Sequence, residues 1–155
     1  MDIVFLAQSD TTAGFLSINA AKINNRKKAN TSKALLKEIP NLKNQIHRIP
    51  CKHRRFVRYA KKTTFIVKNF KPTQNLKNAF VNTQSFRVVK DSKHNDFLQG
   101  FKYLYSSSAN PTGRGFDMDF ALKNCDVVVL DKRGIFESKS SKILKLGHNR
   151  IQKIR

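Results

Sequence analysis

The stretch of this 155-residue sequence richest in groups that could hold an anion is "SSSANPTG", at 106–113. It is too small and polar for a core, and its Asn-Pro and Thr-Gly steps are turn formers rather than linker filler. Serine hydroxyls and the Asn amide can donate to phosphate oxygens, while glycine lets a backbone approach closely. The loop follows the strand-like "KYLYSS" and precedes the helix-like "DMDFALKNC". In α/β sheets that junction is where backbone N–H groups converge on anionic ligands. The same residues also serve as a turn capping the next helix, so spacing alone leaves both uses open.

Other chemistry-bearing clusters read as structural. His47, Cys51 and His53 in "HRIPCKH" lack a fourth ligand nearby and are interrupted by basic residues, which fits a solvated helix start and no metal site. Asp117 and Asp119 in "FDMDF" suit the N-terminus of a helix better than a paired-carboxylate catalyst. Cys125, on an apolar stretch, reads as a small core residue. Cys51 and Cys125 have no CxxC partner, as expected of a reducing compartment.

The elements that position the loop follow from patterning. Apolar residues make up 39%, with twelve Phe, enough for a folded domain at this length. A buried strand is expected over residues 3–7, feeding a loop over 8–14, and a short helix from Asn19 toward Lys28. A brief apolar segment in "NTSKALLKEI" precedes a helix from Pro40 to about His47. Another helix starts at Pro50 and runs through Tyr59, with Phe56, Val57 and Ala60 inward. "TTFIV" and "SFRVV" are strands, and of Thr63 and Thr64 only one can face a cleft. Residues 69–83 read as an irregular connection. "SKHNDFLQGF" is helical through Phe97, Leu98 and Phe101, and "DVVVL", "SKILKL" and "RIQKI" are strands. The class is therefore α/β with a mixed sheet, a single domain over 1–155.

Charge narrows the partners. Thirty-one Lys and Arg against 10 Asp and Glu give a formal +21, so the chain attracts polyanions, nucleic acid and nucleotide phosphates among them. The start, "MDIVFLAQSD", is too short in apolar residues for a signal peptide, and no stretch approaches the roughly 20 apolar residues of a membrane span. A cytoplasmic protein without a membrane partner is expected.

Six segments, taken in order, resemble the YrdC/TsaC family, the threonylcarbamoyl-AMP synthases. "SSSANPTG" resembles the family's "TSANxSG", and "AQSDTTAG" its opening "xPTDTVYG". "KINNRKKANTSKAL" is similar to "KIFxxKxRPxxKPL", "KKTTFIV" to "GPxTFIL", "TQSFRVVKD" to "TVxVRxPD", and "SSKILKL...IQKIR" to "PSTIVDL...ILRxG". The resemblance implies a single-domain YrdC-like twisted mixed sheet with flanking helices and a basic concave cleft.

It also implies roles. Thr11 would lie at the threonine substrate with Ser106 nearby, and Lys27 would neutralise phosphate charge. Thr83 and Arg87 would flank the nucleotide, and Ser108 and Asn110 would face the phosphates. Ser141 and Arg155 would complete the cleft, and Thr64 would be the cleft-facing residue of its pair. The chain departs from the pattern where the Arg of "KxR" is Ala29, with Arg26 and Lys28 as neighbouring cations. The Tyr of "VYG" is Ala13, and the Thr of "PST" is Lys142. The implied reaction joins threonine, bicarbonate and ATP, the last with magnesium, into threonylcarbamoyl-AMP and pyrophosphate. The product would pass to a transferase complex that modifies tRNA. The alternative is a YrdC-like domain without synthesis that uses its basic face to bind RNA or nucleotide.

Overall fold

In the computed structural model the described residues are 2–31, 33–45, 48–68 and 83–155. The strands are β1 (Phe5–Gln8), β2 (Ala13–Ser17), β3 (Leu36–Ile39), β4 (Thr63–Lys68), β5 (Thr83–Val88), β6 (Leu104–Ser108), β7 (Val127–Val129), β8 (Lys142–Leu146) and β9 (Ile151–Lys153). They form one sheet in the order β7-β1-β2-β6-β3-β5-β4-β8-β9. Pairing is parallel at β1/β7, β3/β5 and β4/β8 and antiparallel elsewhere, so the sheet is mixed. The helices are α1 (Ala20–Arg26), α2 (Cys51–Tyr59), α3 (Ser92–Leu98) and α4 (Met118–Lys123).

Strand alternation creates the site. In β4, Phe65 and Val67 join Phe86 and Val88 of β5 and Val57 of α2 in one core cluster. The intervening Thr64, Ile66, Ser85 and Arg87 fall on the opposite face, where they line a cavity. A period of two thus splits each strand into a core edge and a cavity edge. Across the sheet, Phe15 and Leu6 pack with Ile23 of α1 and Ala121 of α4, whereas Leu16 packs with Leu98 of α3.

Local signals set the helix ends. The Asn19 side chain accepts the Ala21 backbone N–H at 3.0 Å and starts α1. Asp117 caps α4 through the Phe120 N–H at 3.0 Å, and Asp91 caps α3 through the His94 N–H at 3.0 Å. Asp117 and Asp119 therefore stand at a helix start, and Cys125 packs half-buried against the core cluster of α1 and α4.

Three sequence expectations are corrected. The loop expected through Gly14 ends earlier: Ala13–Ser17 is a strand buried along its whole length, which hid the period-two alternation that marks half-exposed strands. The helix expected from Pro40 is only a 3-10 turn over Leu42–Asn44. There the Asn41 side chain takes the Lys43 N–H at 2.9 Å and caps the start of the turn, but Gln45 is already extended, so the turn stops at Asn44. Phe56, expected inward, is 45% exposed and meets the Phe65 ring edge-on at 5.9 Å while Val57 fills the core. The expected irregular connection lies outside the described residues, except Thr83, which opens β5.

Candidate functional site

A cavity of about 440 Å³ opens on the face of the sheet away from the α2 core. Gly14 on β2 and Ser106, Ser107 and Ser108 on β6 line it, together with Thr11, Thr64, Ser85, Arg87, Ser141 and Arg155. β2 and β6 pair Gly14 with Ser108, and a Cβ at Gly14 would stand 3.2 Å from the Ser107 carbonyl oxygen. Glycine there keeps the hydroxyl strand close to the opening loop.

Lys27, from the end of α1, reaches the loop that follows β6. Its buried Nζ donates to the Ser108 carbonyl at 2.5 Å and lies 3.3 Å from Asn110 Oδ1. The Ser108 hydroxyl also donates to that Oδ1, and the Asn110 amide nitrogen donates to the Arg114 carbonyl. Lys27, Ser108 and Asn110 thus form one cluster, of which Ser108 lines the cavity while Lys27 and Asn110 stand behind it. Burial, and secondarily the positive charge of Lys33, bring the Lys27 pKa down to about 8.

At the far side Ser141 Oγ lies 2.8 Å from Thr64 Oγ1, and Arg155 donates to the Ser141 carbonyl at 3.1 and 3.3 Å. Thr64 is the cavity-facing residue of its pair, and Thr63 turns its hydroxyl to the Lys61 carbonyl. Thr83 stands apart: it is exposed at the start of β5, one pleat before Ser85 and outside the lining.

Arg87 is buried in an ion cluster. Its Nη1 donates to Thr11 Oγ1 at 2.8 Å, its Nη2 pairs with Glu38 of β3, and its Nε is 3.4 Å from Asp10 Oδ1. His94 of α3 takes the other Glu38 oxygen. Burial alone would raise the Glu38 carboxyl, but Arg87 and then His94 hold it well below the usual carboxylate range. Burial raises the Asp10 pKa, with Arg87 opposing.

Glu38 and His94 do not stand out from the sequence, whereas Lys33 falls on the Lys of the "KPL" pattern. The available signal is Glu38 itself, an acid inside the apolar "LLKEI" in a chain with 10 acidic residues. Of the cations near the missing Arg, Arg26 is held by Asp126 at 2.6 Å, whereas Lys33 lines the cavity. Among the described residues no three His, Cys, Asp or Glu side chains are grouped to hold a metal. No described helix is long and apolar enough to cross a membrane.

No family model matches the sequence, and no curated protein is similar to it in sequence. Solved structures do match. E. coli YciO superimposes with a TM-score of 0.74 at 14% identity, over 99% of this chain and 82% of that one. P. abyssi Sua5 complexed with L-threonine gives 0.74 at 12% identity, over 99% of this chain and 50% of that one. Full-length HypF in its phosphate- and nucleotide-bound form gives 0.73 at 15%, over 99% of this chain and 26% of that one. The fold is the YrdC-like α/β fold shared with these proteins. The chain spans most of YciO but half of Sua5 and about a quarter of HypF.

Proposed function

We propose that the protein is a threonylcarbamoyl-AMP synthase acting in threonylcarbamoyladenosine modification of tRNA. The observation that carries the reading is that one cavity gathers Thr11, Arg87, Ser106, Ser108, Ser141 and Arg155 from distant parts of the chain, with Lys27 and Asn110 joined to it through Ser108. Of the proteins that share the fold, Sua5 is complexed with L-threonine and full-length HypF is in a phosphate- and nucleotide-bound form, which supports an amino acid and ATP as ligands.

Threonine and bicarbonate condense to a carbamate, releasing water. A carbamate oxygen attacks the α-phosphorus of ATP, the bond to the β-phosphate bridge breaks, and pyrophosphate leaves. No side-chain nucleophile is required, so positioning and charge stabilisation must supply the rate. Lys27 and the Asn110 amide would hold the phosphates, and Lys33, on the Lys of "KPL", would bring a further cation to the cavity. Thr11, Ser106 and Ser141 would hold the amino acid, and Ser108 with Arg155 the nucleotide. Thr83, assigned to ATP by resemblance, would reach it only from the rim. ATP is expected as its magnesium complex. The product would be handed to a tRNA-modifying transferase complex in the cytoplasm.

The test is nucleotide consumption by Lys27→Ala and Asn110→Ala. Each should lose at least about 100-fold in turnover, the scale of removing one charge-stabilising donor. Unchanged turnover would remove both residues from the site.

A second reading is favoured by the net charge of +21. It is a YrdC-like protein that binds RNA or nucleotide without synthesis. In it Lys27→Ala would barely alter RNA affinity, while reversing Lys52, Arg54 and Arg55 on α2 would lower it.

A further inference from the structure

We propose that Glu38 is a positioning residue for the amino-acid end of the site, fixing the Thr11 hydroxyl through Arg87 so that it meets a ligand as a hydrogen-bond acceptor. The inference rests on the reading of Thr11 as a substrate contact. Glu38 is fully buried, and its two oxygens are taken by cation and ring from different elements, Arg87 on β5 and His94 on α3. As a carboxylate it only accepts, so His94 presents Nε2–H to it. Arg87 is thereby fixed between Glu38 and Asp10 with one free edge, and that edge donates to Thr11 Oγ1 at 2.8 Å.

The direction of the remaining bonds follows from donor counting. Ser9 Oγ has a single proton, which it donates to the Thr12 carbonyl at 2.7 Å. Its 3.0 Å contact with Thr11 Oγ1 therefore has Thr11 as donor. A chain runs from Arg87 N–H to Thr11 O–H to Ser9 O–H to the Thr12 carbonyl. Thr11's only proton is committed, and one lone pair remains. A ligand group meeting Thr11 must then carry a proton, as the ammonium or hydroxyl of an amino acid does and a phosphate or carboxylate oxygen does not. The buried cluster thus gives the cavity an acceptor at Thr11, opposite in character to the cationic side at Lys27 and Lys33.

The test is a double-mutant cycle of Glu38→Gln and Thr11→Val, read as KM for L-threonine and, separately, for ATP. Glu38→Gln keeps the shape and removes the charge that holds Arg87. It should raise the KM for L-threonine by roughly 10-fold, the effect of one charge-assisted hydrogen bond, and leave the KM for ATP within about 2-fold, because the Arg87 guanidinium that the resemblance set beside the nucleotide is turned to Thr11, Glu38 and Asp10. In the Thr11→Val background the same change should have no further effect on L-threonine. Equal losses for both substrates, or additive losses in the double variant, would overturn the proposal.

A second measurement does not need the variant to fold. In the wild-type protein, NMR of the Arg87 guanidinium should show protons in slow exchange with hindered rotation, and free rotation would overturn the proposal. Should the wild type bind no L-threonine, the synthase reading fails, while the Arg87 spectrum still decides whether Glu38 fixes that side chain.

Discussion

At Lys27 burial and charge pull in opposite directions. The cavity needs a cation for phosphates, yet burial and the neighbouring Lys33 lower its pKa to about 8, against about 10.4 for an ordinary lysine. The free protein therefore loses this charge as pH rises through about 8. The predicted consequence is a kcat/KM for ATP that falls above pH 8, since that ratio reports on the unliganded enzyme. Lys27→Arg, which stays charged, should move the falling limb above about pH 10. A flat profile to pH 10 in the wild type would detach Lys27 from ATP. At this scale the sequence is informative where a residue type itself carries the chemistry. The hydroxyls of "SSSANPTG" and the cation at Lys27 can be named from spacing and resemblance. Arg87 can be named too, but not its engagement, because Glu38 reaches it from 49 residues away and is itself met by His94 from 56 residues away, a proximity only pairing of β3 with β5 and docking of α3 create.

The elements carry the site by close approach of backbones. Gly14→Ala would push a methyl to 3.2 Å from the Ser107 carbonyl, between paired strands that cannot part freely. Overpacking of this kind typically costs about 1–3 kcal/mol, and a urea melt should show it, together with weaker L-threonine binding as Ser106 shifts. Phe65→Ala on β4 removes a fully buried ring that touches Phe56 and Phe86, and should cost about 3–5 kcal/mol. Asp117→Ala deletes the cap of α4 and should cost about 1 kcal/mol by the same melt. Legibility in the sequence tracks these same forces. α1 and α4 announce themselves through Asn19 and Asp117 at their starts, α3 through the spacing of Phe97, Leu98 and Phe101, and β4 and β5 through β-branched and aromatic runs. β2 escapes a reading by pattern because a strand buried on both faces shows no alternation. The turn after Pro40 mimics a helix because Pro40, the Asn41 cap and an apolar Leu42 are all helix-start signals, while the chain turns extended at Gln45.

For the whole molecule, charge and cleft make separate predictions. The exposed cations of α2, Lys52, Arg54, Arg55 and Arg58, add to a net +21. RNA binding measured between 50 and 200 mM salt should weaken steeply, and reversing Lys52, Arg54 and Arg55 to Glu should lower the slope by roughly one for each phosphate no longer neutralised. Composition makes this attraction legible but not its place, since charge patterning says nothing of fold. The synthase account depends instead on the cavity that joins Thr11 and Gly14, Ser85 and Arg87, the serines of β6 and Ser141 with Arg155. Its central claim is met most directly by pyrophosphate release from ATP by the purified protein, with threonine and bicarbonate supplied together, singly or not at all. Release that requires both is the predicted result. No release with both present, from protein that still binds ATP or RNA, would contradict the account and leave the fold as a binding module.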